Sequence, residues 1–435
     1  MNLDNLESRI CHASVDRSLG RVTRVMGNLV ESDGPELSLG SLCTLEPGRG
    51  ETAIPAEVVG FHGSKILLMP LSEMSGLDNK TLVVPTGGAK DVSVGDALVG
   101  RVIDGLGRAM DDLGPIDAKT SYPLHASPPP PLSRKRISEA LPLGVRALDA
   151  FTLCGKGQRI GIFSAAGVGK STLMGMIARG TEAQVNVIAL IGERGREVGE
   201  FIERDLGDEG MKRSVVVVST SSEPSLLRVR AAFLATTIAE YFRDRGKDVL
   251  LMMDSLTRFA LAQREIGLAV GEQPTTRGFT PSVFSQLPRL LERSGTSASG
   301  SITGLYSVLV EGNDPDEPVA DVVRGLLDGH IVLSRQLAEQ GQYPAIDVCS
   351  SLSRLMRGIA SKEQLELSSA YRGLLAAYRE VEDLILTGAY REGADPRADE
   401  AIKKRRLMQD FICQDCYEHS SMDETLSALA KLFRD

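Results

Sequence analysis

Aromatic residues make up 4% of the 435-residue chain and tryptophan is absent. Residues 18–86 hold a single aromatic, Phe61, where single-stranded nucleic acid would need several ring faces to stack on. Positive charge is in deficit, with 49 Lys and Arg against 58 Asp and Glu and a net charge of −9. The bulk field therefore favours neither nucleic acid nor an anionic membrane, although a local basic groove stays open. No apolar run approaches the roughly 18 residues that a bilayer-spanning helix needs. The opening Met1-Asn2-Leu3-Asp4-Asn5-Leu6-Glu7 is acidic and polar, unlike a signal peptide. The six cysteines are scattered, which suits a reducing, cytoplasmic compartment. Cys413 and Cys416 are close in sequence, but no second Cys or His pair completes a zinc spacing, so they read as two thiols on one helix turn.

What is present is a phosphate-binding signature. Arg159-Ile160-Gly161-Ile162-Phe163 reads as a buried strand, and Ser164-Ala165-Ala166-Gly167-Val168-Gly169 as a small-residue loop. Lys170-Ser171-Thr172-Leu173-Met174 then opens a helix. This is the P-loop layout: backbone N–H groups at small residues close around phosphate oxygens, and the helix N-terminus adds partial positive charge. Lys170 would reach the β- and γ-phosphates, and the Ser171 hydroxyl would face magnesium. Ser164 stands where the strict pattern has Gly, so it must turn within the backbone space of ordinary residues. The bland reading is a glycine-rich turn before a core helix.

Two further strand ends support the sharper reading. Val249-Leu250-Leu251-Met252-Met253-Asp254 is an apolar strand closed by a carboxylate, placed to hold magnesium directly or through water. Taken alone, Asp254 could equally cap a helix starting at Ser255-Leu256-Thr257. Glu193 follows the apolar Val187-Ile188-Ala189-Leu190-Ile191 and could orient a water in line with the γ-phosphate. Its alternative is a surface ion pair with Arg194 or Arg196, and Glu197 competes for the catalytic role; Glu193 is favoured as nearer the sheet edge.

The organisation around this core has four parts. Residues 1–17 place Leu3, Leu6, Ile10 and Ala13 on one stripe of a short helix. Residues 18–86 carry short strands with Gly, Asp and Pro turns, as in a small β-barrel. Residues 87–360, entered through the stiff connector Ser127-Pro128-Pro129-Pro130-Pro131-Leu132, alternate strands and helices and predict a parallel α/β sheet with ligands at its strand C-termini. Residues 361–435 read as helical, with Pro396 a break or a helix start.

These residues carry a resemblance. The stretch Gly157–Phe163 with the P-loop, Leu190–Val198, Thr236–Asp244, Met253–Arg258, Gly329–Arg335 and Tyr343–Asp347 resemble, in order and across roughly residues 20 to 410, the protein-export ATPases of flagellar and type III secretion systems. Those are relatives of the rotary ATP synthase catalytic subunit. The resemblance implies a P-loop NTPase fold of RecA-like type, with a β-barrel before it and a helical domain after it. It implies a homohexamer with ATP and Mg2+ between subunits: Ala165 to Thr172 and Lys170 on phosphate, Ser171 and Asp254 on magnesium, and Glu193 as catalytic carboxylate. Arg194 and Arg258 would line the pocket, Tyr343 would stack on adenine, and Arg354 would be an arginine finger given to the neighbour's site. Ala165 stands where many relatives have Gly. The implied partners are a stator-like regulator on residues 1–17, a central stalk-like protein, export substrates and chaperones, and a membrane export gate contacted peripherally at the inner membrane; nucleic acid is not among them. Pro274–Phe284 resembles flagellar members more than injectisome ones. The other readings are a rotary synthase catalytic subunit, which would want a dense acidic run in the C-terminal domain, and an RNA translocase of the termination-factor type, which would want aromatics on the barrel.

Overall fold

The computed structural model describes residues 18–48, 51–86, 91–310 and 317–433, so the stripe of residues 1–17 lies outside what is described. Six strands, β1 (Gly20–Met26), β2 (Leu29–Ser32), β3 (Leu42–Glu46), β4 (Ile54–His62), β5 (Lys65–Pro70) and β6 (Leu82–Pro85), close a barrel in the order β1-β2-β5-β4-β3-β6. Alternating apolar positions, among them Val22, Val30, Leu45, Ile54, Val58, Leu68 and Val83, fill its interior. Phe61, next to last in β4, is 55% exposed, and no second Phe, Tyr or Trp joins it on the barrel.

β7 (Asp91–Val94) and β9 (Thr120–Pro123) form a two-stranded ribbon, while β8 (Val102–Asp104) joins the main sheet. That sheet adds β10 (Arg159–Ser164), β11 (Val185–Glu193), β12 (Ser214–Thr220), β13 (Asp248–Asp254), β14 (Gly295–Thr296), β15 (Ser301–Leu309), β16 (Gly329–Leu333) and β17 (Leu352–Ser353). Its order is β17-β16-β10-β15-β13-β11-β12-β8, parallel except for β17 and for β14, which pairs with β15. Every residue of β11 is buried, because helices cover both faces and a strand so placed must be apolar throughout. One face packs on the helices Ser225–Asp244, Leu256–Ala269, Pro281–Leu291 and Pro318–Leu326; the other packs on Arg146–Phe151, Lys170–Gly180 and the C-terminal helices.

A buried ion pair ties the first face together. Arg293 is 1% exposed and donates to Glu240 Oε1 at 2.9 Å, to Thr237 Oγ1 at 2.8 Å and to the Leu124 carbonyl at 2.6 Å. The extra acceptors satisfy the guanidinium, without which the desolvation of both charges would outweigh their attraction.

The C-terminal part is three helices, Lys362–Leu386, Pro396–Ile412 and Met422–Lys431. Pro396 starts a helix rather than breaking one, with Asp395 capping it through the Arg397 N–H at 2.8 Å. The Cys413-to-Cys416 stretch differs from the expectation of one helix turn: the helix stops at Ile412, and the buried Gln414 holds the following loop against Gly144 and Arg146. Tyr371 seals the helix pair against Phe151, ring centroids 4.5 Å apart, and its hydroxyl donates to the Met408 carbonyl at 2.7 Å. Tyr371→Phe is expected to lower stability by about 1 kcal/mol in a denaturant titration.

Candidate active site

β10 delivers the P-loop at the C-terminal edge of the sheet. Gly169, the residue before the helix Lys170–Gly180, has φ of 87°. That left-handed turn favours glycine, and the helix has no side-chain cap, which leaves its first-turn N–H groups open to an anion. Ser164 is not among the positive-φ residues, so the departure from glycine costs no backbone strain. Its hydroxyl is buried without an acceptor or donor among the described residues. Ala166, Gly167 and Ser171 are exposed, Ala165 and Thr172 half-buried, and Val168 buried.

Parallel register brings the other groups to the same edge. Lys170 Nζ contacts Asp254 Oδ1, and the two side chains are 11% and 4% exposed. Ser307, on β15 between the two strands, donates to the same Oδ1 at 2.7 Å. Ser255, not Asp254, caps the helix Leu256–Ala269, accepting from the Arg258 N–H at 3.3 Å. Asp254 Oδ1 therefore faces the P-loop lysine and Ser307 and plays no part in capping the helix.

Glu193 reaches this group through a bulge. The pairing of β11 with β12 slips between Ile191 and Glu193, and Gly192 sits there with φ of 73°. Bulges re-aim side chains beside active sites. A Cβ on Gly192 would come within 2.9 Å of Arg258, whose guanidinium bonds the Gly192 carbonyl and pairs with Glu193 at 3.2 Å. Neither Arg194 nor Arg196 is the partner of Glu193: Arg194 is exposed and Arg196 pairs with Glu200. Burial, then the charge of Asp254 and a hydrogen bond shared with Glu197, push the Glu193 carboxyl up to about 7 against the pull of Lys170 and Arg258. Glu197 is held below its usual range by that same hydrogen bond.

Tyr343 flanks the loop. It is 49% exposed, and a side-chain carbon on Gly169 would lie 3.7 Å from its ring. The Gln414 N–H donates to the Tyr343 carbonyl at 3.0 Å, so the loop after the helix Pro396–Ile412 holds the backbone that carries the ring. Arg354 is elsewhere. Ser353 pairs with Gly329 at the start of β16, whereas Ser164 pairs with Leu333 at its end. Four residues of strand, roughly 13 Å, separate those levels. Arg354 is exposed and lies toward the strand-start edge of the sheet, away from the edge that carries the P-loop.

Sequence reasoning missed Ser307 and Gln414. A serine inside the apolar run Ile302–Val310 was a signal for the first; nothing in the spacing marked the second. Among the described residues no group of three or more His, Cys, Asp or Glu is arranged to hold an ion alone. The Ser171 hydroxyl and the Asp254 carboxylate are hard oxygen donors, the kind that magnesium takes when its other ligands are phosphates and waters.

Comparison with known proteins bears on the family and the fold. Residues 144–353 match the ATP synthase alpha/beta family nucleotide-binding domain, residues 22–87 its beta-barrel domain, and residues 360–431 the T3SS EscN ATPase C-terminal domain. The chain is 52% identical over 416 residues to the flagellum-specific ATP synthase of Bacillus subtilis, covering 95% of this chain and 94% of that one. It is also 52% identical over 430 residues to the type 3 secretion system ATPase of Xanthomonas euvesicatoria, covering 99% and 97%. The assembled ATPase EscN of the enteropathogenic E. coli type III secretion system superposes with a TM-score of 0.90 at 45% identity, over 95% of this chain and 100% of that one. The same ATPase in complex with its central stalk EscO gives a TM-score of 0.88 at 45% identity, again over 95% and 100%.

Proposed function

The chain belongs to the flagellum-specific and type 3 secretion system ATPases, and from that premise we propose how it hydrolyses ATP and drives protein export. The observation that carries the proposal is the meeting of Lys170, Asp254 and Glu193 at one sheet edge. Lys170 and the open N–H groups of its helix would grip the β- and γ-phosphates. Ser171 and Asp254 would hold magnesium, which when bound supplies positive charge to the phosphate oxygens. Glu193, with a proton affinity near neutrality, would orient and polarise the attacking water. Arg258 holds Glu193 in place. Tyr343 would take the adenine ring on its exposed face, with Arg194 at the rim.

We further propose a homohexameric ring. EscN is described as assembled, and the exposed Arg354 fits a finger completing the next subunit's site. Arg354→Ala is expected to leave ATP affinity near normal while removing the rise of specific activity with protein concentration. Turnover that still climbs steeply in that variant would refute a finger in trans.

Export itself would use the ring to release and unfold substrates delivered by chaperones. A central stalk is the partner of EscN, and a stalk-like protein is the partner proposed here; a regulator would hold residues 1–17. No helix among the described residues is long and apolar enough to cross a membrane, so contact with an inner-membrane export gate would be peripheral. Identity is 52% to both a flagellar and a secretion relative, and the shared activity is what the likeness carries. The match of residues 360–431 to the EscN C-terminal domain weighs against a synthase subunit, and the single barrel aromatic Phe61 against an RNA translocase.

A further inference from the structure

Between the barrel and the ATPase core lies a cavity of about 770 Å3. Its walls come from both parts: Val58 and Val59 of β4, Val229 and Phe233 of the helix Ser225–Asp244, and Ile266 of the helix Leu256–Ala269. That volume is in the range of small-molecule pockets, and the lining is mostly apolar. No residue of the P-loop lines it, nor does Glu193 or Asp254.

Its charge is not balanced. Arg230 lines the cavity and is 6% exposed, yet its one acceptor is Glu57 Oε2 at 3.3 Å, and its Nε has no acceptor among the described residues. A guanidinium carries five N–H donors, and burying it with one acceptor is costly. Arg289, also in the lining, is exposed and makes no ion pair among the described residues. The other charged wall residues are neutralised elsewhere: Arg293 by Glu240, and Glu292 by Arg159 and Arg134. His125, in the same wall, has its imidazole pushed down to about 4 by burial and by Arg293, Arg230 and Arg289, so it is neutral at physiological pH. Glu57 also lines the cavity and pairs with Arg230, so over the apolar walls the surplus positive charge is that of Arg289, beside an Arg230 with an unused buried donor.

We propose that this cavity binds a small organic anion, its carboxylate, sulfonate or phosphate group on Arg230 and Arg289 and its apolar body against Val229, Phe233 and Ile266. An inorganic ion would leave the apolar walls unused, and a cation would face two guanidinium groups with Glu57 already paired to one of them. Such a ligand touches the barrel and the ATPase core at once.

The test uses the full chain with anilinonaphthalene sulfonate, an aromatic sulfonate whose fluorescence reports its burial. Saturation at one equivalent per chain is expected, with competition by octanoate, little by inorganic phosphate and none by MgATP. Arg289→Gln, an exposed position that carries no folding risk, should weaken binding about tenfold. The same loss is expected from Arg230→Gln combined with Glu57→Gln, which leaves no carboxylate unpaired. Unchanged affinity in both variants, absence of a saturable site, displacement by MgATP, or competition by phosphate equal to that by octanoate would each overturn the proposal. Loss of binding on assembly would overturn it too, since a second copy would then occupy the cavity.

Discussion

Lys170→Ala is expected to reduce ATP turnover roughly a thousandfold, the scale on which one buried charged donor acts on a transferring phosphoryl group. The ammonium is held against Asp254 with little solvent around it, so its field at the phosphates is not screened as it would be in water. Two consequences separate this from a general loss of fold. ATP affinity should fall with turnover, because the ammonium neutralises phosphate charge in the bound state as well as in the transition state. The chain should stay folded at assay temperature by circular dichroism although its thermal midpoint falls, because the buried Asp254 then keeps only the neutral donor of Ser307. Turnover within tenfold of the parent would remove the lysine from the mechanism.

Glu193→Gln should behave differently. The amide keeps the shape of the side chain but can neither take a proton nor polarise water as a carboxylate does, and turnover should drop about 10^2- to 10^4-fold. MgATP affinity should hold or tighten, since the substitution removes a negative charge that stands close to Asp254 and the incoming phosphates. Stopped-flow binding with a fluorescent ATP analogue, set beside phosphate release, reads the two effects independently. A variant that hydrolyses normally would pass the role to Glu197, which shares a hydrogen bond with Glu193. A variant that loses binding would make Glu193 part of the nucleotide's seat.

The contrast between these two substitutions follows from how the edge is built. Lys170 leaves the P-loop directly, so its place is set by a local turn at Gly169. Glu193 depends on the slip at Gly192 and on Arg258, which arrives from a helix more than sixty residues further along and fills the space a Cβ on Gly192 would need. The lysine is thus positioned by its own loop and the glutamate by packing. Gln414 and Tyr343 repeat the second pattern, with a C-terminal loop bonded to the backbone beside the ring that flanks the P-loop.

The chain's own pattern determined the strands and the loop. Apolar runs ending in Asp254 and Glu193, and small residues before Lys170, are local properties, and local spacing predicts which backbone N–H groups and carboxylates come to the strand ends. Two ambiguities at single residues were not local. Whether Asp254 capped a helix depended on Ser255 taking that role, and whether Glu193 paired with Arg194 depended on Arg258 approaching from another helix. Ser307 became a partner of Asp254 because β15 lies beside β13, and strand order is a property of the folded sheet. The distance of Arg354 from its own P-loop came from the same source, since the antiparallel pairing of β17 carries it to the opposite edge. Sequence spacing fixes neighbours along a chain; side chains far apart in sequence meet only where packing has closed the space between them.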